Sequence, residues 1–219
     1  MVTTLRFTKD NMKPLPFPYS EDDVRLPIEV AEHFIKEYTS SGDTVFDPFA
    51  GFGTTVAAAE SLGRKGVGME LLPSRVEYMR HFLTSGRVFH GDARLLDGAK
   101  LPEFDFCFTS PPVIDMHRKE GYPFHGYRKE SENSYEDYLA DLRSVFFLMW
   151  DHEFISPNGK IAVEIPNVSS KGGFTPLASD AAAELAKIYK LEKEYEIIWE
   201  GTRPYGFGQD SSYVYVFRQ

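Results

Sequence analysis

One stretch limits what this chain can fold into: Asp43-Thr-Val-Phe-Asp47-Pro-Phe-Ala-Gly51-Phe-Gly53-Thr54-Thr55-Val-Ala-Ala-Ala-Glu60. Val45 and Phe46 are apolar residues of high strand propensity. Gly51 and Gly53 permit a turn that a Cβ would obstruct, and let a ligand approach the backbone. Thr54 and Thr55 stand where a helix begins, and Val56 to Ala59 suit a packed one. A helix N-terminus reached in this way offers free N–H groups to an anionic group such as a carboxylate or phosphate.

The rest of the chain repeats the strand–helix alternation. Residues 1–24 read as an irregular N-terminal arm, because Pro14, Pro16 and Pro18 interrupt any regular element and Glu21-Asp22-Asp23 is a solvated acidic turn. The arm is either laid across the domain or a disordered lead. Residues 25–219 read as a single domain. Pro27 suits a first helical turn, and Ile28, Ala31, Phe34 and Ile35 recur at helical spacing, which predicts a helix over 27–39. After the glycine turn come a helix to about residue 62, a strand over 65–71 ending at Glu70, and a helix from Pro73 to about residue 84. A short strand over 87–90 leads to Asp92. A nearly all-apolar strand over 104–108 ends in Thr109-Ser110-Pro111-Pro112. A polar, aromatic loop over 113–133 precedes a helix over 134–155, a turn over 156–159 and a strand over 160–165. A Gly/Ser-rich loop over 166–175, a helix over 176–190 and strands over 194–200 and 212–218 complete the chain. Strands apolar on both faces, alternating with helices, indicate an α/β fold whose parallel sheet is covered on both sides.

Ligands of such sheets bind beyond the C-terminal ends of the strands. The glycine turn, Glu70, Asp92 and Ser110 all fall at such ends. Glu70 lies 17 positions beyond Gly53, near the spacing at which an acid hydrogen-bonds a ribose in a nucleotide-binding βαβ unit. Asp92 suits an adenine amino group, or a plain turn. Together they imply an adenosine-containing cofactor across the first three strands of this series. No G-x-x-x-x-G-K-[ST] occurs, which argues against a P-loop hydrolase, and the 47–53 turn is not a clean G-x-G-x-x-G, because Ala50 and Thr54 do not supply the remaining glycines, which argues against a nicotinamide enzyme.

Composition narrows the partners. A formal net charge of -9 opposes non-specific coating of nucleic acid while permitting a local basic groove. Cys107 is the single cysteine, so neither a disulfide framework nor a cysteine metal site is available, and a cytoplasmic setting is expected. No apolar run reaches membrane-span length.

Asp47-Pro-Phe49-Ala-Gly51-Phe-Gly53-Thr54-Thr55, followed by Thr109-Ser110-Pro111-Pro112, resembles the S-adenosylmethionine-dependent amino-methyltransferases that act on N4 of cytosine or N6 of adenine in DNA. The Ser-Pro-Pro version resembles their "T-S-P-P-Y" subgroup, and the likeness runs from about residue 25 to the C-terminus. It implies a Rossmann-like, mostly parallel seven-stranded sheet and S-adenosyl-L-methionine as cofactor. It further implies that Asp47, Phe49, Gly51, Gly53, Thr54 and Thr55 hold the methionine end, Glu70 the ribose and Asp92 the adenine. Ser110, the Pro111 carbonyl and Pro112 form the catalytic turn, with two fixed acceptors for the target amine. The departure is Val113, where the family carries an aromatic that stacks on a flipped base. Tyr122, Phe124 and Tyr127 in the following loop are the candidate replacements. That loop interleaves bases with aromatics, a mixture that suits exposed nucleotides. Its Asp115, His117 and His125 do not make a convincing metal site, and no metal is expected. Tyr205, in Arg203-Pro-Tyr205-Gly-Phe207-Gly-Gln209, resembles the late family segment beside the target pocket.

The resemblance implies a nucleic-acid partner, DNA before RNA, and a restriction-modification setting with a specificity or partner subunit as an option. Two alternatives stay open on the sequence: an RNA amino-methyltransferase of the tRNA guanine-N2 type, and a non-catalytic cofactor-binding subunit of a methyltransferase complex. Val113 and the lack of the separate target-recognition region that DNA enzymes of this family usually carry favour the second. The intact Ser110-Pro111-Pro112 turn counts against it.

Overall fold

In a computed structural model, residues 2–16, 25–98, 100–113, 135–170 and 173–219 are described. The elements run in the order β1 (Thr3–Thr8), α1 (Ile28–Tyr38), β2 (Thr44–Asp47), α2 (Thr54–Ser61), β3 (Lys65–Glu70), α3 (Pro73–Phe82), β4 (Arg87–His90), β5 (Phe104–Thr109), α4 (Tyr135–Asp151), β6 (Ile155–Ile165), β7 (Val168–Ser170), β8 (Gly173–Thr175), α5 (Leu177–Leu185), β9 (Lys190–Glu200) and β10 (Ser211–Arg218). None of the helices among the described residues is long and apolar enough to cross a membrane.

Eight strands form one sheet in the order β1-β9-β10-β6-β5-β2-β3-β4. Only β10 runs against its neighbours, β6 and β9; the other pairings are parallel. The mostly parallel sheet agrees with the reading from sequence, but it has eight strands rather than seven. The additional one is β1, inside the segment read as irregular. Its Leu5 and Phe7 alternate with exposed Thr4 and Arg6, and they pack against the helix-covered core. That period-2 signal was masked by the prolines that follow it. The 166–175 stretch, expected to be a loop, contains the β7–β8 ribbon. The Ser-Pro-Asn-Gly turn lies within β6 as an irregularity. β5 pairs with Ile155 and then with Lys160, so the residues between them bulge out of register.

Side chains alternate across the sheet and build two cores. Val45, Phe106, Phe108, Ala162, Val214 and Val216 meet Val30, Phe34 and Ile35 of α1 on one face. Phe46, Cys107, Ile161, Val163 and Phe217 meet Leu142, Val145 and Phe146 of α4 and Leu177 of α5 on the other. β2 is the pivot. From it the chain steps outward through β3 and β4, then returns to β2's opposite side as β5. This reversal opens a crevice between the C-terminal ends of β2 and β5, where sheets of this kind receive ligands.

Candidate active site

Three adjacent strand ends are linked by side-chain hydrogen bonds. At the end of β2, Asp47 Oδ1 accepts from the Phe49 N–H at 3.0 Å and from the Thr109 hydroxyl at 2.6 Å. Thr109 ends β5, so this bond closes the switch point. One residue on, Ser110 Oγ donates to Glu164 Oε2 at 2.8 Å. Glu164 is fully buried near the end of β6, and its other oxygen accepts from the Tyr205 hydroxyl at 2.6 Å. Ser212 of β10 also hydrogen-bonds Glu164, and accepts from the indole N–H of Trp199 at 3.0 Å. Tyr138 of α4 donates to the Pro112 carbonyl at 2.6 Å. The Ser-Pro-Pro turn is thus held from β6 at one end and from α4 at the other.

The glycine turn is fixed separately. Gly51 (φ 56) and Gly53 (φ 84) both take left-handed backbone, which L-residues with a Cβ adopt at a cost. Glu70, buried at the end of β3, accepts from the N–H of Gly51 at 2.9 Å with one oxygen and from that of Leu72 at 2.9 Å with the other. The Leu71 N–H also hydrogen-bonds this carboxylate, whose lone-pair sites leave room for a further donor.

A cleft of about 220 Å³ lies over these strand ends. Of the residues expected at the site, Asp47, Phe49, Gly51, Thr54, Thr55, Glu70, Asp92, Ser110, Pro111, Pro112, Val113 and Tyr205 line it. Gly53 does not. A Cβ there would come within 2.9 Å of Met79, so its place is in packing α2 against α3. Asp92 reaches the cleft gripped by Arg94, whose guanidinium lies 2.6 Å from Oδ2, and Arg94 is itself tied to Asp141 at 3.1 Å. Val113 lines the cleft yet is only 5% exposed and belongs to the core beneath α4. The Tyr205 ring is stacked on Trp199, with centroids 4.5 Å apart and planes 2° apart, so one of its faces is occupied. Tyr122, Phe124 and Tyr127 lie outside the described residues, as do Asp115, His117 and His125. Among the described residues no cluster of His, Cys, Asp and Glu could hold a metal ion.

Burial pushes the Asp47 carboxyl up to about 6, against the hydroxyls of Thr109 and Thr55 and the Phe49 N–H. Glu70 is raised by burial, and the Leu72 N–H and Arg75 oppose the shift. Glu164 is raised by burial against the hydroxyls of Ser212, Tyr205 and Ser110. Asp92, bonded to Arg94, is lowered. The cleft therefore sets buried acids around a space with apolar walls, a set of hydrogen-bond acceptors that fits a cationic ligand carrying hydroxyls.

Several residues of this arrangement escaped the sequence reading. Glu164 carried a usable signal: it is an acid inside an apolar strand, Lys160-Ile-Ala-Val-Glu164-Ile165, as Glu70 is in its own. Thr109 was visible only as part of the motif, and its partner Asp47 is 62 residues away. Phe207, an aromatic at φ 57, also lines the cleft. Arg25 and Arg75 line it from α1's approach and from α3.

Residues 10–81 match the sequence profile of the DNA methylase family. The Type II methyltransferase M.BamHI of Bacillus amyloliquefaciens is 48% identical over 46 residues, 21% of this chain and 11% of that protein. The Type II methyltransferase M.HpaI of Haemophilus parainfluenzae is 27% identical over 145 residues, 65% of this chain and 41% of that protein. The chain thus spans less than half the length of the curated relatives it matches. Among solved structures, a TehB-like SAM-dependent methyltransferase from Corynebacterium glutamicum superposes with a TM-score of 0.55 at 14% identity, covering 85% of each chain. Magnesium protoporphyrin IX methyltransferase from Synechocystis, with bound SAM, gives 0.54 at 11% identity, covering 87% of this chain and 77% of that one. Residues 10–81 are thus similar to the DNA methylase family, and the chain shares the Rossmann-like fold of these solved structures.

Proposed function

We propose that the protein transfers a methyl group from S-adenosyl-L-methionine to an exocyclic amino group of a DNA base, N4 of cytosine or N6 of adenine. The observation that carries this reading is the Ser110-Pro111-Pro112 turn, set one strand away from the glycine turn on the same cleft and locked by Glu164 and Tyr138.

Asp47 and the Gly51 turn would hold the methionine end of the cofactor, the remaining lone pairs of Glu70 the ribose, and Asp92, steadied by Arg94, the adenine. Acids around the cleft suit a ligand with ammonium and sulfonium charges. Bound there, the cofactor supplies an electrophilic methyl carbon. This chain's residues do the rest by orientation. An exocyclic amine is a poor nucleophile because its lone pair is delocalised into the ring. Ser110 donates its hydroxyl hydrogen bond to Glu164, which leaves the Oγ lone pairs free to accept from one amine N–H. The Pro111 carbonyl serves as the second acceptor. Two fixed acceptors favour a pyramidal nitrogen whose lone pair points away from them, and prolines cost little reorganisation as this happens. The proton shed by the methylated amine would pass to Ser110 Oγ as the hydroxyl proton moves along its hydrogen bond to Glu164, which ends protonated.

The test is methyl transfer from labelled cofactor to genomic DNA and, separately, to total RNA, followed by digestion to nucleosides and mass spectrometry. N4-methylcytosine or N6-methyladenine in DNA is the expected product. Label confined to RNA, or none in either with cofactor still bound, would contradict the reading.

A further inference from the structure

Lys9, Lys13, Arg25 and Arg203 gather beside the mouth of the cleft, in a chain whose formal net charge is -9. Topology brings them there. β1 runs parallel to β9, so Thr8 and Glu200 end side by side at the C-terminal edge of the sheet. Residues 9–13 then cross that edge next to the 201–203 turn. Asp10 joins the two segments. Its carboxylate accepts from the N–H of Thr202 at 2.9 Å and that of Arg203 at 2.8 Å, and a Cβ at Gly201 (φ 105) would collide with it. Arg203 donates to the Met12 carbonyl at 2.9 Å, and Arg25 to the Lys13 carbonyl at 2.9 Å. Lys9 Nζ lies 5.8 Å from the centroid of the Tyr205 ring. Lys13 and Arg203 are exposed.

Among the described acids nearby, Asp10 also interacts electrostatically with Arg203, and Glu164 with Lys9. Asp10 is committed to two backbone N–H groups, and Glu200 is paired with Arg6 at 2.6 Å. Glu29 shares with Lys13 and Arg25 a second cavity, of about 360 Å³, behind the glycine turn. The result is a hydrogen-bonded group of cations on an acidic molecule, beside the cleft that a flipped base would enter. Fixed cations at the rim of such a cleft position a nucleic-acid backbone without reading its sequence.

We propose that this rim, residues 9–13 joined to the 201–203 turn, holds the phosphate backbone of the DNA duplex whose base enters the cleft, with Lys13 and Arg203 as phosphate contacts. The proposal rests on the DNA reading above. Asp10 is a positioning residue: it sets Arg203 and the arm at a fixed distance from Tyr205.

The test is a fluorescence-anisotropy titration of duplex DNA with the full chain over a range of salt, for wild type, Lys13→Gln, Arg203→Gln and the double variant. Lys190→Gln, at the opposite end of β9, is the control. Cofactor affinity and Tm are measured alongside. Each rim substitution is expected to reduce the slope of log K against log salt by about 1, and the double variant by about 2, with several-fold weaker binding at low salt. Cofactor affinity, Tm and the control stay at wild-type values. A wild type that methylates DNA beside a double variant with an unchanged slope overturns the rim alone. A slope lost on RNA but not on duplex DNA overturns the duplex assignment. A wild type that neither binds nor methylates DNA overturns the rim and the functional reading together.

Discussion

The two halves of the cleft are built in different ways. The half between β2 and β3 is local: Asp47, Gly51 and Glu70 lie within one strand–turn–helix–strand unit, and Glu70 ties the turn to the next loop through two backbone N–H groups. The half between β5 and β10 is assembled from distant segments. Ser110, Glu164, Tyr205 and Ser212 come from four places in the chain and meet on one buried carboxylate. The first half is a shape made by backbone conformation, and the second is a network of side chains. A shape tolerates change in its walls, whereas a network built on one acid depends on that acid. Damage to the first half is therefore expected to appear as lost binding, and damage to the second as lost turnover.

The largest effect is expected at Glu70. Glu70→Ala leaves the Gly51 and Leu72 N–H groups without their acceptor and removes the proposed ribose partner. Cofactor affinity, read by calorimetry, should fall by at least about 100-fold, roughly 3 kcal/mol. Next comes Glu164. Glu164→Ala frees the Ser110 hydroxyl to rotate, and kcat should fall by roughly 100-fold while the cofactor Kd stays near wild type. Glu164→Gln keeps the volume with one acceptor oxygen and should fall between the two. Steady-state kinetics and calorimetry on the same samples would blur the comparison if both constants moved together.

Asp47 sharpens the comparison through pH. Its folded value of about 6 lies above the ordinary aspartate value of 3.8, so its contribution to stability is fully present below 3.8 and is lost as pH rises through about 6. The size is about 3 kcal/mol. Asp47→Asn should remove this fall, which urea unfolding on either side of the window would detect. Wild-type affinity for the cationic cofactor should weaken as pH drops through about 6, and the variant should lack that dependence. The smallest effect is expected at Trp199. Trp199→Phe preserves the stack on Tyr205 but removes the N–H donated to Ser212, at a cost of about 1 kcal/mol in stability and a minor change in kcat.

Legibility in the sequence followed the same division. The glycine turn, Glu70 and the strand ends were readable because they are set by neighbours in the chain. Phe34 and Ile35 announced α1 by spacing alone, whereas the weaker alternation of Leu5 and Phe7 in β1 was missed and the segment read as irregular. Glu164 joins Ser110 across 54 residues, and no local pattern encodes such a pairing. The Asp92–Arg94 clamp is local, yet it is a matter of side-chain geometry rather than of period. Val113 shows the converse: its departure from the family's aromatic was plain in the sequence, but its burial beneath α4 was not.

The most direct test of the two-part site is Ser110→Ala, with cofactor Kd by calorimetry and methyl transfer to DNA measured on the same preparation. The account expects an unchanged Kd and a turnover reduced by about 100- to 1,000-fold. Loss of cofactor binding in step with turnover, or turnover at the wild-type rate, would contradict it.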